Sequence, residues 1–235
     1  MDVADGVLSL CAKALTVCVA GCTMGRCGPP AVMREDAMAG LRFCAYQYQH
    51  LPLDALRRRW RDAEQQAFDV VWNCDTIVEP DRPRHMMFDG PTTLAMMAAE
   101  TSRIRVGTLV SSLYFREPVT VAKAAMTLDH LSGGRVEVAL GVGDPSAGSA
   151  AAGVTRSPTE QVARFAEFVE VVDLLLRQEV TTYTGTYYRY DNAETIPLPL
   201  QRPRPPITIA AHGPKMLRIG PATATAGAPG AATAC

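Results

Sequence analysis

The chain has 235 residues, close to the roughly 250 that a single α/β barrel needs. Its 23 lysine and arginine residues nearly balance 24 aspartate and glutamate residues, and the net charge of −1 excludes the basic surface typical of nucleic-acid-binding proteins. No apolar run approaches the roughly 20 residues of a membrane span. We therefore expect a cytoplasmic protein that binds neither nucleic acid nor a membrane.

Residues 1–39 do not share the pattern of the rest of the chain, and we interpret them as an N-terminal extension. The apolar stretch 8–20 is similar to a secretory signal, but two aspartates precede it where a signal needs positive charge, and Lys13 is the only basic residue in this part. Met38 is a natural alternative start. The cysteines of this segment have no C-x-x-C spacing and no histidine nearby, so we expect no metal site.

The remaining chain alternates short apolar runs with longer stretches of helical periodicity. The periodicity predicts five strands, at 41–46, 68–72, 105–110, 135–140 and 207–210, and four helices, at 52–66, 92–101, 119–131 and 159–177. A small hairpin is predicted at 180–188. Strand, helix and strand in this order form parallel pairs with right-handed crossovers. The predicted fold class is therefore α/β, with about five βα units over residues 40–219.

The segment 105–144 is the clearest βαβ unit. Ser132, Gly133 and Gly134 end its helix, because glycine adopts the left-handed conformation that helix ends require. Its second strand ends in Gly141-Val142-Gly143, where the backbone carries almost no side chains.

The run TLDHLSGGR, an apolar strand ending in GVG and the preceding SRIRVGTLV together resemble the luciferase-like monooxygenase superfamily. The resemblance covers residues 41–219. It implies a (β/α)8 TIM barrel that uses coenzyme F420 or FMN on a small-molecule substrate, and a homodimer in the intact family. With F420 the reaction would be a hydride transfer; with FMN it would be an oxygen-dependent monooxygenation.

The resemblance also implies a site at the C-terminal ends of the strands. The family commonly has Asp-His after its second strand, close to the flavin; here Asp75 matches and Thr76 replaces the histidine, so Asp75 is the predicted catalytic residue. His50, after the first strand, is either a substrate contact or a solvated loop histidine. Family members often carry a bulge with a non-proline cis peptide after the third strand, which here would fall within Leu109-Val110-Ser111.

The two glycines of GVG would allow close approach of the cofactor. The turn at 211–216 resembles the family's phosphate-binding helix start, where free backbone N–H groups favour an anion. The predicted cofactor-binding residues are Asp75, Leu109, Val110, Ser111, Ser112, Gly141, Gly143, Gly213 and Lys215.

Two departures from the family pattern lead to further expectations. Segment 144–155 is rich in glycine and alanine where family members usually have aromatic and acidic residues, which predicts a more open or less ordered wall of the site. Residues 220–235 form a low-complexity tail where relatives continue with three more βα units. We expect this end to be truncated or frameshifted. The alternative to an oxidoreductase is therefore a non-catalytic, degenerate barrel fragment that binds flavin weakly or only associates with other proteins.

Overall fold

Five parallel strands form the main sheet of the computed structural model, which describes residues 42–78, 84–210, 216 and 219. Their order in the sheet follows the chain, and each strand is parallel to its neighbours. The strands are β1 (Cys44–Tyr46), β2 (Val70–Asn73), β3 (Arg105–Ser112), β4 (Val136–Gly141) and β7 (Ile207–Ala210). Two further strands, β5 (Val180–Thr184) and β6 (Arg189–Glu194), form a separate antiparallel hairpin.

Five helices connect or flank these strands in the described part of the chain. They are α1 (Leu53–Gln65), α2 (Gly90–Glu100), α3 (Pro118–Ser132), α4 (Pro145–Ala152) and α5 (Pro158–Arg177). Asp89, Asp144 and Ser157 cap α2, α4 and α5 by accepting backbone N–H groups, and each of these helices has proline in its first turn. Gly133 ends α3 with a φ of 67°.

The two faces of the sheet carry different side chains because successive residues of a strand point to opposite sides. One face, with Val71, Val106 and Val138, packs against the helices in the larger core cluster. The other face carries a smaller cluster of Val70, Trp72 and Ala139. The Trp72 ring lies so close to Gly107 that a Cβ at position 107 would be 2.3 Å from it. This second face corresponds to the interior of a barrel.

A buried ion cluster closes the N-terminal ends of the strands on the interior face. The Glu137 side chain is only 3% exposed and pairs with both Arg42 and Arg105. The Arg105 Nε lies 2.5 Å from Glu137 Oε1, and the Arg105 Nη2 donates to Gln201 Oε1 over 2.9 Å.

The architecture confirms the predicted fold class: an α/β arrangement with a parallel sheet and about five βα units of a barrel. The four predicted helices begin and end within two residues of α1, α2, α3 and α5, and β5 and β6 form the predicted hairpin. The first strand begins three residues later than predicted, at Cys44. The domain boundaries near 39 and 220 fall on residues outside the described part of the chain, so they stay predictions.

One of the two alternatives for segment 144–155 is wrong. The segment is not a less ordered wall, because it contains the capped helix α4; a more open wall stays a prediction. Alanine has the highest helix propensity, so this segment forms a helix without any apolar stripe to reveal it. Asp144 starts the helix and Gly153, with a φ of 64°, ends it.

Candidate functional site

The C-terminal ends of β1 to β4 lie side by side at one end of the sheet. Barrel enzymes place their catalytic residues at this end. Asp75 follows β2 there, and its side chain is 1% exposed. Both of its oxygens accept hydrogen bonds from Arg116: Nε lies 3.0 Å from Oδ2 and Nη2 lies 2.7 Å from Oδ1. Burial raises the pKa of Asp75, although Arg116 and the nearby Ser112 backbone N–H lower it.

Arg116 joins Asp75 to a second carboxylate, because its Nη2 also donates to Asp89 Oδ1. Asp89 in turn caps α2, with its Oδ2 2.9 Å from the Thr92 backbone nitrogen. Burial raises the pKa of Asp89, but Thr92 and Arg116 together bring it below its usual value. Asp75 holds the pKa of Arg116 above its usual range, so the guanidinium remains charged. Sequence reasoning missed both Arg116 and Asp89; the Asp-Gly-Pro-Thr cap signature was the available signal for Asp89.

A bulge shifts the register of β3 against β4 between Thr108 and Ser111. The peptide bond between Leu109 and Val110 is cis, within the three residues that the resemblance indicated. The Val110 side chain lies on Gly141 of the neighbouring strand, where a Cβ would be 2.5 Å from Val110 Cγ2. Glycine at 141 is therefore needed for the bulge to pack on β4.

Ser112 and Gly143 form a second close contact between the two strand ends. Gly143 has a φ of 86°, and a Cβ there would be 2.1 Å from Ser112 Oγ. This hydroxyl donates to the Val142 carbonyl over 3.0 Å and accepts the Tyr114 backbone N–H over 3.1 Å. The Ser112 side chain thus holds the loop after β4, and its backbone carbonyl accepts the N–H groups of Phe115 and Arg116, both over 3.1 Å. The predicted cofactor contact of Ser112 stays a prediction.

Helix α4 and Tyr114 form the wall next to this contact. The Tyr114 ring packs on Gly148, where a Cβ would lie 2.4 Å from the ring. Its hydroxyl accepts a hydrogen bond from Gln161 Nε2 over 2.7 Å, and the Arg156 guanidinium lies 5.0 Å from the ring centroid. This wall replaces the aromatic and acidic stretch that the resemblance implied.

Residues after β1 form an aromatic row towards the same edge. The Tyr46 and Tyr48 rings meet edge to face at 5.1 Å, and the His50 ring lies 6.1 Å from Tyr48 and 4.9 Å from the His85 ring. Burial, with Cys74 and Tyr48 as neighbours, raises the pKa of Tyr46. His50 therefore lies on the expected side of the sheet, and its substrate contact stays a prediction.

The structure brings Asp75, the β3 bulge, Gly141 and Gly143 together at adjacent strand ends. Gly213 and Lys215 lie outside the described residues, and the phosphate contact assigned to them stays a prediction. Within residues 42–78 and 84–210, no three His, Cys, Asp or Glu side chains are grouped so that they could hold a metal ion. No helix in these ranges is long and apolar enough to cross a membrane.

The chain is similar to several known proteins. It is 33% identical over 198 residues to the F420-dependent hydroxymycolic acid dehydrogenase of Mycobacterium tuberculosis, a match covering 83% of this chain and 53% of the relative. A solved F420-dependent secondary alcohol dehydrogenase, in complex with an F420-acetone adduct, superposes with a TM-score of 0.68 at 24% identity, covering 75% of this chain and 53% of that chain. Monooxygenase RslO1 from Streptomyces bottropensis superposes with a TM-score of 0.64 at 26% identity, covering 72% and 53%.

The chain spans about half the length of each of these proteins. The model of the family described as luciferase-like monooxygenase matches residues 38–228, which include every described strand and helix. With its parallel sheet, its bulged third strand and this match, the chain belongs to the luciferase-like monooxygenase family.

Proposed function

We propose that this chain provides the F420-binding part of an oxidoreductase that transfers hydride to or from a small organic substrate. The observation that carries the proposal is the bulge of β3, whose Val110 side chain packs on Gly141 at the C-terminal end of the sheet. The choice of F420 rests on the relative named as an F420-dependent dehydrogenase, which is 33% identical over most of this chain. FMN is the second candidate, because a solved relative is a monooxygenase.

The residues present fit a flavin or deazaflavin ring, which is flat and largely apolar with polar edges. The interior face offers Leu109 and Val110 packed against Trp72 and Ala139. A side chain at Gly141 would displace Val110 and remove this platform. When bound, F420 supplies the ring carbon that gives or accepts a hydride; the protein's part is to place and shield it.

The chain's own residues divide this work. The platform excludes water from one side of the ring, and the backbone of Ser111 is the proposed contact with its polar edge. Gly143 keeps the neighbouring loop free of a side chain, and Gly213 with Lys215 is the proposed phosphate contact. His50, with Tyr48 beside it, is the proposed substrate contact on the β1 side. Thr76 stands at the position where the family pattern commonly has histidine, so we assign no proton transfer to that position.

Titration of the 235-residue chain with F420 and, separately, with FMN tests the proposal. We expect saturable quenching of F420 fluorescence and an affinity for F420 at least tenfold higher than for FMN. Tighter binding of FMN would favour the second candidate. Absence of saturable binding with both would overturn the proposal for this chain.

A pair of variants tests the platform itself. Gly141→Ala should weaken binding, since its Cβ would overlap Val110 Cγ2. Adding Val110→Ala removes the overlapping methyl group and should restore part of the affinity. Equal binding by wild type and Gly141→Ala would show that the ring lies elsewhere.

A further inference from the structure

We propose that Asp75 and Arg116 are positioning residues, which hold the bulge of β3 in place beneath the cofactor, and that Asp75 exchanges no proton in the reaction. This inference rests on the proposed function, because it takes the bulge to be the support of the ring. It gives Asp75 a different role from that of an acid or base, and it gives Arg116 a role that the sequence pattern did not suggest.

The first argument is the occupancy of the Asp75 carboxylate. Arg116 Nε reaches both oxygens, at 3.2 Å and 3.0 Å, and Nη2 reaches Oδ1 at 2.7 Å. The Ser112 backbone N–H faces the same carboxylate. With 1% of the side chain exposed, no surface remains by which this group could touch a substrate. A general base must come within hydrogen-bond reach of the proton that it removes.

The second argument is what the network connects. Asp75 follows β2, whereas Ser112 is the residue that ends β3 directly after the bulge. Arg116 belongs to the link between β3 and α3, and its contact with Asp89 extends to the first turn of α2. One guanidinium therefore ties two strand ends and a helix start together around the bulge. A bidentate arginine pair also fixes orientation, which a lysine cannot do.

The third argument is a matched ion pair at the other end of the same sheet. Glu137 is buried to a similar degree and is likewise paired with arginine, but at the N-terminal ends of the strands. Barrel enzymes place chemistry at the C-terminal face, and the opposite face serves stability. Both carboxylates are buried, so loss of their arginine partners would leave a buried charge unpaired, which destabilises a protein. Only loss of the Asp75 pair should also disturb the cofactor.

The experiment compares Asp75→Asn, Arg116→Lys, their combination and the control Glu137→Gln, each in the full chain. Asparagine keeps the shape of Asp75, and lysine keeps the charge of Arg116, so folding should survive. We expect the first two variants each to lower F420 affinity at least tenfold and to shift the absorption of the bound cofactor at saturation. The combined variant should be hardly weaker than either single one. Glu137→Gln should lower the melting temperature but leave affinity within twofold.

Four results would overturn the inference. Asp75→Asn with wild-type affinity and spectrum but greatly reduced turnover would make Asp75 a catalytic residue. Unchanged affinity in Arg116→Lys would mean that the ion pair does not position the bulge. An equal loss of affinity in Glu137→Gln would trace the effect to general destabilisation. If the wild-type chain binds neither F420 nor FMN, the proposed function fails first, and the inference fails with it.

Discussion

At the scale of single residues, Gly143 and Gly153 have the same backbone conformation in different surroundings. Both have a positive φ, of 86° and 64°. A Cβ at Gly153 would meet nothing within 4 Å, whereas one at Gly143 would overlap Ser112 Oγ. That hydroxyl already makes two hydrogen bonds, so it cannot rotate away without losing them. Substitution of Gly153 therefore tests backbone strain alone, whereas substitution of Gly143 tests backbone strain together with steric overlap.

We predict that Gly153→Ala destabilises the protein by about 1 kcal/mol, which is the order of the penalty for a side chain in the left-handed region. Gly143→Ala should cost about 1–3 kcal/mol more, as overpacking typically does. Urea unfolding of both variants measures the difference. Equal losses would mean that the loop after β4 shifts freely, contrary to the contacts of Ser112.

The residue scale also shows what the sequence alone could reveal. Resemblance located the cis peptide and the acid at Asp75, because both are tied to short motifs. Arg116 escaped notice because nothing in the chain near it indicates that it pairs with a residue 41 positions earlier. Ser112 was expected to serve the cofactor, but its hydroxyl is used within the protein. Partners brought together by strand packing are not visible in local spacing.

At the scale of elements, the backbone of the turn between β5 and β6 is held to α5 by one carboxylate. Glu167 accepts the backbone N–H groups of Thr186, Tyr187 and Tyr188 at 2.9, 2.8 and 3.2 Å. A Cβ at Gly185 would lie 2.3 Å from the same side chain. The turn thus wraps around Glu167, and glycine is required for the close approach.

We predict that Glu167→Gln lowers the free energy of unfolding by about 1–2 kcal/mol, because hydrogen bonds to a charged group are the stronger ones. Glu170→Gln is the matched control: Glu170 lies on the same helix and accepts a hydrogen bond from the Tyr183 hydroxyl over 3.1 Å. Chemical denaturation compares the two. A larger loss in the control would contradict the role of Glu167.

The Glu167 carboxylate should also make the free energy of unfolding depend on pH. Slight burial raises the pKa of Glu167, but the three backbone N–H groups outweigh it and bring the pKa below its usual value. A carboxyl with a lowered pKa in the folded state stabilises it above its unfolded pKa of about 4.3, and this contribution is lost as pH falls through the folded value. The difference in stability between wild type and Glu167→Gln should therefore shrink below about pH 4. A difference that stays the same size from pH 6 down to pH 2 would contradict this assignment.

Helix α4 is the element that periodicity could not reveal. Its Pro-Ser-Ala-Gly-Ser-Ala-Ala-Ala sequence has no apolar stripe, and only Ala147 and Gly148 are buried. Its position depends on the Tyr114 ring, which comes from a distant part of the chain. In contrast, α5 has a long row of apolar residues and was predicted almost to the residue.

At the scale of the whole molecule, the sheet has a centre and two edges within the described residues. β2, β3 and β4 each pair with two described strands, and β1 and β7 with one each. Strand β1 is also only three residues long. The order of the strands could be predicted from the alternation of strand and helix, but what lies beyond the edges could not.

Amide hydrogen exchange should reflect this arrangement. We predict slow exchange throughout β2, β3 and β4 and exchange at least tenfold faster in β1 and β7, because edge strands open in smaller units than the core. Mass spectrometry of peptides from each strand gives the rates. Protection of β1 equal to that of β3 would show that another segment or a second copy pairs with its outer edge.

The close contact of Trp72 with Gly107 has an optical consequence. The chain has two tryptophans: Trp72 belongs to the cluster on the interior face of the sheet, whereas Trp60 belongs to the larger core cluster on the other face. An indole so close to the proposed platform would transfer its excitation energy to a bound ring that absorbs in the near ultraviolet. With Trp60→Phe, the emission that remains would come from Trp72 alone. Quenching of the Trp72 emission would then report cofactor binding in real time, without an added fluorescent label.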